Sequence, residues 1–289
     1  MSSEVVVYEL TLKNELMVPL DARRVRPDEF IGKTLSEIKA IEVREGNTKV
    51  KLSELFDVTG PEKAPDDPNL IEIRLSGKGT NKIRYLGFKM AGGKIVVKGD
   101  IGPLAGYKMR DGSIVIEGNA RGWLGAKMRN GTIEVFGNAA DFVGGKLQGE
   151  EPGKGMKKGT IIIHGNAGSN VGAGMAGGTI IIEGNVKHLA GAKMCGGNII
   201  IHGNCGRFAG ARMTRGRVVV AGKIDGILPS FYVDSLIPKA KVKKILFEKP
   251  FMIFMGDAVV SGMGMLYVSY EDNKDLLSYY EELIREVKL

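Results

Sequence analysis

The stretch GAKMRNGTIEVFGNA, residues 125–139, decides the architecture, because it returns in altered form as GAGMAGGTIIIEGNV at 172–186 and GAKMCGGNIIIHGNC at 191–205. Between Gly87 and Gly226 the chain repeats every 19 residues in the pattern G-x-K-M-x-x-G-x-I-x-V-x-G-N. Copies open at Gly87, Gly106, Gly125, Gly153, Gly172 and Gly191, and a shorter seventh begins at Gly210. The register slips once, at the GGKLQGEEP segment from Gly144 to Pro152, whose Gly, Glu and Pro content predicts a solvated loop. A fixed period broken by a loop is the signature of stacked repeats.

Each copy carries a three-residue apolar run between glycines, such as IVV at 95–97 or III at 161–163, 180–182 and 199–201. These runs are too short for helices and too β-branched to favour them, so they read as strands. With one copy per turn, each strand lies beside its counterpart about 4.8 Å away. The fold class expected is mainly β: a right-handed parallel β-helix, a solenoid of about seven 19-residue coils, with a small α/β N-terminal cap and a C-terminal helix. Residues 1–69 form the cap and linker, 70–226 the β-helix, and 227–289 the closing strands and helix.

The recurring small residues fit corners. Glycine recurs before each strand, as at Gly131, and after it, as at Gly137, where a turning backbone needs positive φ or close approach between coils. Asn119, Asn138, Asn166, Asn185 and Asn204 follow the second glycine; asparagine tolerates the left-handed region and can pass amide hydrogen bonds from coil to coil. Met90, Met109, Met128, Met156, Met175, Met194 and Met213 share one column, 7 of the 13 methionines, and flexible thioethers suit a narrow interior.

In the flanks, VVVYELTLK reads as a strand, DEFIGKTLSEIKAI as a short helix, IEVREGNTKVKL as a hairpin and LIEIRLSGKGTNKIRYLG as an irregular first coil. The stretch KPFMIFMGDAVVSGMGMLYVSYE reads as a pair of strands. KDLLSYYEELIREVKL places Leu276, Leu277, Tyr280, Leu283, Ile284 and Val287 on one helical face.

Composition narrows the function classes. The chain has no apolar run near the length of a membrane span and no basic leader, so a cytoplasmic protein is expected. Its net charge of +8 calls for an acidic partner or ligand, or serves solubility. Nucleic acid is disfavoured, because aromatics make up only 7% of the chain and do not interleave with the basic positions. Cys195 and Cys205 match no zinc or redox spacing and read as buried or inert thiols.

Chemistry is confined to outward columns. Alternation sends the middle residue of each run outward: Val96, Val115, Glu134, Ile162, Ile181, Ile200 and Val219. A mostly apolar outer stripe is either covered by the chain's own terminal segments or is an interface with another subunit, for which Val96, Val115, Ile162, Ile181 and Ile200 are the candidates. His164, Glu183 and His202 form a second column that offers a partial metal site or ordinary surface pairing. Lys89, Lys108 and Lys127 form a basic ladder resumed by Lys193 and Arg212; stacked like charges are either screened by water or face an anion. No nucleophile–base set, phosphate-binding loop or CxxC array stands out, so no catalytic, cofactor or metal residue is expected on this chain.

The three quoted repeats, the segment VREGNTKVKLSELFDVTG and the closing GDAVVSGMGMLYV together resemble the C subunit of formylmethanofuran dehydrogenase. The repeat alone is also similar to the glycine-rich (GXGXG) C-terminal domain of glutamate synthase. The resemblance implies an archaeal, ferredoxin-linked oxidoreductase complex that reduces carbon dioxide and attaches the formyl group to methanofuran. It places tungsto- or molybdopterin, iron–sulfur clusters and a binuclear metal site on other chains of the complex: a hydrolase-like A subunit, pterin-binding B and D subunits, and ferredoxin-like subunits. For this chain it implies a non-catalytic scaffold.

Overall fold

Residues 4–287 are described by the structure, a computed structural model, without the side chains beyond residue 283. The fold is mainly β, and one thirteen-stranded sheet takes in both the repeat and its flanks. In its middle Ala91–Val97, Asp111–Ile116, Thr132–Val135, Thr160–Ile163, Thr179–Ile182, Cys195–Ile201 and Arg215–Val220 lie side by side in parallel. Register advances by one copy, so that Ile133 sits between Ile114 and Ile161. A second parallel ladder joins Ile101, Ala120, Ala139, Ala167, Val186, Cys205 and Ile224, one residue from each copy.

The interior is dry. The first and third residues of each run and all seven column methionines are fully buried. Gly131 shows why the column before the strand is glycine: its φ is +90°, and a Cβ there would stand 2.7 Å from the Gly112 carbonyl oxygen. The column after the strand has a different reason. Gly137 is not left-handed, but a Cβ would meet the Gly118 oxygen at 2.6 Å and Asn119 Oδ1 at 2.7 Å.

The asparagines pass hydrogen bonds from copy to copy as expected, but not from left-handed backbone, and their side-chain amides donate only at the start of the column, as Asn138 Nδ2 does to Asn119 Oδ1 at 3.3 Å. None of the five has positive φ. The side-chain oxygens of the first four accept from the backbone N–H of the next copy's asparagine, as Asn119 Oδ1 does from Asn138 N and Asn138 Oδ1 from Asn166 N, both at 2.8 Å. The ladder starts on Asp100 Oδ1 and ends at Lys223 N. Asparagine is needed here for an acceptor of the right reach, not for its tolerance of left-handed backbone.

The register slip also lies elsewhere than its composition suggests. Gly144, not Gly153, opens the fourth copy: its φ of +63° matches that of Gly125 at +60°, and its N–H bonds Leu124 O at 2.8 Å as Gly125 N–H bonds Ala105 O. The turn closes across the insertion, with Met156 N–H on Gly144 O at 2.8 Å, the counterpart of Met128 on Gly125 at 3.1 Å. The extra residues therefore sit inside a turn, between a glycine and a methionine that keep their standard bond.

At the N-terminal side Val6–Leu12 and Ile71–Ser76 continue the parallel sheet, and Phe56–Thr59 closes its edge antiparallel. The expected single helix at 28–41 is two, Pro27–Phe30 and Leu35–Lys39. Gly32, at φ +65°, turns the chain between them, and Thr34 with Glu37 restarts it as a capping box. The hairpin Glu42–Glu45 with Thr48–Lys51 forms as read. At the other side Gly264–Ser269 adds in parallel, and Phe251–Gly256 and Tyr232–Ile237 follow antiparallel. The helix Lys274–Val287 packs on Tyr232–Ile237; Leu277 is fully buried and the Tyr280 ring meets Phe254 edge-on at 5.0 Å. Leu276 is 37% exposed and so leaves the apolar face assigned to it, while the side chains of Ile284 and Val287 lie outside the described residues.

A small hairpin, Ala240–Val242 with Ile245–Phe247, settles part of the outer stripe. Its residues Ala240, Val242 and Phe247 pack with Ile200, Val219 and Phe251 in a second, separate core, with Ile181 at the margin. Ile200 and Val219 are thus fully buried by the chain itself, which removes Ile200 from any partner surface, and Val96 is 9% exposed. Val115, Ile162 and Ile181 remain half-buried.

Candidate functional site

The basic ladder lies on the turns of the G-x-K-M motif. Lys89, Lys108, Lys127, Lys193 and Arg212 all have φ of 56–57°, a left-handed conformation that disfavours residues with a Cβ. Backbone bonds hold them there: Lys108 N–H reaches Ala126 O at 3.0 Å, Lys193 N–H reaches Ala211 O at 2.7 Å, and the series ends where Arg212 N–H meets Asp257 Oδ2 at 2.8 Å.

The ladder is not one stripe. At its start the Lys89 and Lys108 ammonium groups each lie 5.1 Å from a ring centroid, of Phe88 and Tyr107, within an aromatic cluster that includes Tyr85. Arg23, from the N-terminal segment, stacks over Tyr85 at 4.2 Å. Cation–π attraction offsets part of the repulsion between these neighbours. In the middle Lys127 is paired with Glu150 of the insertion. Burial pushes the Glu150 carboxyl up, but its bonds to Lys127 and to the Leu147 N–H outweigh this and hold it below the usual range.

Lys193 and Arg212 behave differently. With Lys146, the ladder residue of the copy opened by Gly144, they line a cavity of about 330 Å³ whose apolar wall includes Phe142, Leu147 and Leu189. Lys146 reaches this place because the ladder position in the next copy is Gly174: the Lys146 stem crosses it where a Cβ would stand, 2.6 Å from Cδ. Phe142 stacks on Trp123 at 5.0 Å and 4°. Three cations around an apolar wall suit an anion with an organic body. Sequence reasoning missed Lys146 because it opened the fourth copy at Gly153; counted from Gly144, Lys146 is that copy's own ladder residue, 19 positions after Lys127, and its N–H bonds Ala173 O at 2.8 Å as Lys108 N–H bonds Ala126 O.

The histidine column separates. His164 places Nε2 2.9 Å from Glu134 Oε1 and Nδ1 2.9 Å from Glu183 Oε2, while its ring stacks on Phe136 at 4.8 Å. His202 turns instead to Phe247 at 5.4 Å. Among the described residues no cluster of three or more His, Cys, Asp or Glu is arranged for a metal. With a carboxylate on each ring nitrogen, His164 donates from both, as an imidazolium does. The bond to Glu134, then that to Glu183, raises its pKa. Because the folded value lies above the unfolded one, this stabilisation is fully present below the ordinary histidine pKa and is lost as pH rises through the raised value. Glu134→Gln is expected to lower the His164 midpoint in an NMR titration; an unmoved midpoint contradicts the assignment.

The cysteines are free; Cys205 is buried, and burial, then Asp225, pushes its thiol up to about 12, whereas Cys195 is half-buried. Among the described residues no helix is long and apolar enough to cross a membrane.

A mainly β chain with a large parallel sheet, stacked repeats and basic turns defines a class of repeat-built protein. No family model matches the chain. Over 93 residues it is 42% identical to the C subunit of the tungsten-containing formylmethanofuran dehydrogenase 2 of Methanothermobacter wolfeii, covering 32% of this chain and 33% of that protein. Over 95 residues it is 38% identical to the C subunit of the molybdenum-containing formylmethanofuran dehydrogenase 1 of Methanothermobacter thermautotrophicus, covering 33% of this chain and 22% of that protein. The chain thus spans about a third or less of the length of the curated relatives it matches, a narrower likeness than the motifs alone implied. Among solved structures, a chain of the formyltransferase/hydrolase complex FhcABCD of Methylorubrum extorquens, determined with methylofuran, aligns with TM-score 0.74. It is 22% identical over 90% of this chain and 99% of that one, a likeness of fold.

Proposed function

We propose that this chain is the C subunit of a formylmethanofuran dehydrogenase, a right-handed parallel β-helical scaffold without an active site of its own in a soluble cytoplasmic complex. The single observation that carries the reading is the match to the C subunits of both the tungsten and the molybdenum enzymes. The two parallel ladders, each gaining one residue per copy, support the β-helix. In this reading the hydrolase-like A subunit and the pterin-binding B and D subunits dock on its outer faces, and tungsto- or molybdopterin, iron–sulfur clusters and a binuclear metal site belong to them and to ferredoxin-like subunits. Val115, Ile162 and Ile181 are the apolar docking candidates.

A second reading, the corresponding C subunit of a formyltransferase/hydrolase complex, is favoured by the structural likeness along nearly the whole chain. Affinity purification from the native cell with partner identification and metal analysis tests both. Co-purified partners with tungsten or molybdenum support the dehydrogenase; partners without either support the formyltransferase/hydrolase complex. Recovery of the chain alone overturns both.

The cavity of Lys146, Lys193 and Arg212 suits the carboxylates of a methanofuran tail or of a partner surface. Lys193→Glu combined with Arg212→Glu should raise the apparent KM for methanofuran or weaken assembly by at least about tenfold. Unchanged values of both in the purified complex contradict this role.

A further inference from the structure

A second basic region lies away from the ladder, where the hairpin of Ala240–Val242 and Ile245–Phe247 overhangs the starts of the repeat strands. Two open cavities of about 490 and 590 Å³ share Gly178 and Lys243 and so form one groove. Its cations are Lys158, Arg215, Arg217, Lys243 and Lys244, and among the described residues no carboxylate lines it. All five are exposed, and none takes part in any of the ion pairs found among the described residues. Some cations elsewhere are answered by a carboxylate, as Lys127 is by Glu150 and Lys249 by Asp272.

The hairpin tip adds an independent indication. Two-residue turns with positive φ at the first central residue favour glycine there, because left-handed backbone is strained with a side chain attached. Here the turn is Lys243-Lys244, and Lys243 has φ +57°. Local folding preference thus runs against a lysine at 243. Lys243 and Lys244 also bring two more positive charges toward Arg215, Arg217 and Lys158, a repulsive arrangement unless an anion lies among them.

The shape limits the occupant. The groove crosses the strands beginning at Thr160, Thr179, Cys195 and Arg215, which are consecutive in the sheet. Three strand spacings make it about 14 Å long, the span of about four extended residues. Small ligands are typically enclosed over most of their surface, which this open groove does not do. Single-stranded nucleic acid stacks on aromatic side chains, and among the described residues none lines the groove. Glycines at 177, 178, 196, 197 and 216 leave the floor low enough for a backbone to approach.

We propose that this groove receives an extended acidic segment of a partner polypeptide, with the Lys243-Lys244 hairpin tip clamping it against Arg215, Arg217 and Lys158. The proposal rests on the proposed place in a complex only in taking the segment from another chain; its test uses the isolated full chain and does not depend on co-purification.

The probe is a fluorescent peptide of alternating Glu and Ala, compared with the same peptide carrying Gln for Glu, by anisotropy at low and physiological salt. The acidic peptide is expected to bind, the Gln peptide not, and binding to weaken as salt rises. Lys243→Glu with Lys244→Glu should reduce affinity at least about tenfold without moving the melting temperature, whereas Lys63→Glu with Lys187→Glu, elsewhere on the surface, should leave affinity unchanged. Equal binding of the Gln peptide, indifference to the hairpin variant, or tighter binding of an oligonucleotide than of the acidic peptide would overturn the proposal.

Discussion

Gly131→Ala is expected to destabilise the chain by about 2–4 kcal/mol, from left-handed strain together with overlap against the neighbouring turn. The Cβ would enter 2.7 Å from the Gly112 oxygen and 2.8 Å from Met109 Cε, and the first of these is backbone that cannot swing aside. Gly149→Ala is the control. Gly149 also has positive φ, +78°, but it sits in the insertion with nothing within 4 Å of the added carbon. Only the strain remains there, about 1 kcal/mol. Urea unfolding of both variants checks this, and equal losses would show that crowding between copies is not what demands glycine.

The second large effect concerns the outer stripe. Ile200→Asp should cost about 3–5 kcal/mol, because it puts a carboxylate under the hairpin in a core of seven buried apolar residues, where its desolvation outweighs attraction to the exposed Lys243 and Lys244 at the edge of that core. The readout is local. Release of the hairpin exposes the Lys243–Lys244 bond, so trypsin should cut there far faster than in the parent chain. Ile162→Asp, half-buried and uncovered, should cost less than about 1 kcal/mol in the isolated chain. If Ile162 is a docking residue, that variant instead weakens assembly. Matching losses for both variants in the isolated chain would mean that the stripe is not divided as described.

The parallel strands, their spacing and the methionine interior are legible in the sequence because repetition averages out local ambiguity. A single III run is uninformative; seven copies with glycines at fixed offsets are not. Legibility ends wherever the decisive atom belongs to the backbone of another copy. The asparagines suggest an amide ladder and form one, yet the donor present at every step is the next residue's own backbone N–H, which no residue type reveals. Composition puts the slip before Gly153 because it marks Gly144–Pro152 as loop, while the turn geometry keeps Gly144 in the repeat.

The candidate site is legible only in part for the same reason. Lys89, Lys108, Lys127, Lys193 and Arg212 share a column by spacing, and so does Lys146 once the fourth copy is opened at Gly144, but spacing does not show that Glu150 folds back onto Lys127 or that the Lys146 stem crosses Gly174. Likewise His164 and His202 share a column and separate because Phe136 lies beside one and Phe247 beside the other. Long-range contacts made by loops and hairpins have no periodic trace.

The bond from Met156 N–H to Gly144 O spans a dozen residues as if the turn were of ordinary length. The stack therefore registers only where a turn starts and where it ends, and is indifferent to how much chain is let out between. Such a junction is a port: its contents can be shortened, lengthened or replaced while the copies on either side keep their pairing. The surface can change at this port without any adjustment of the interior, so a fixed framework and a replaceable segment coexist in one continuous chain.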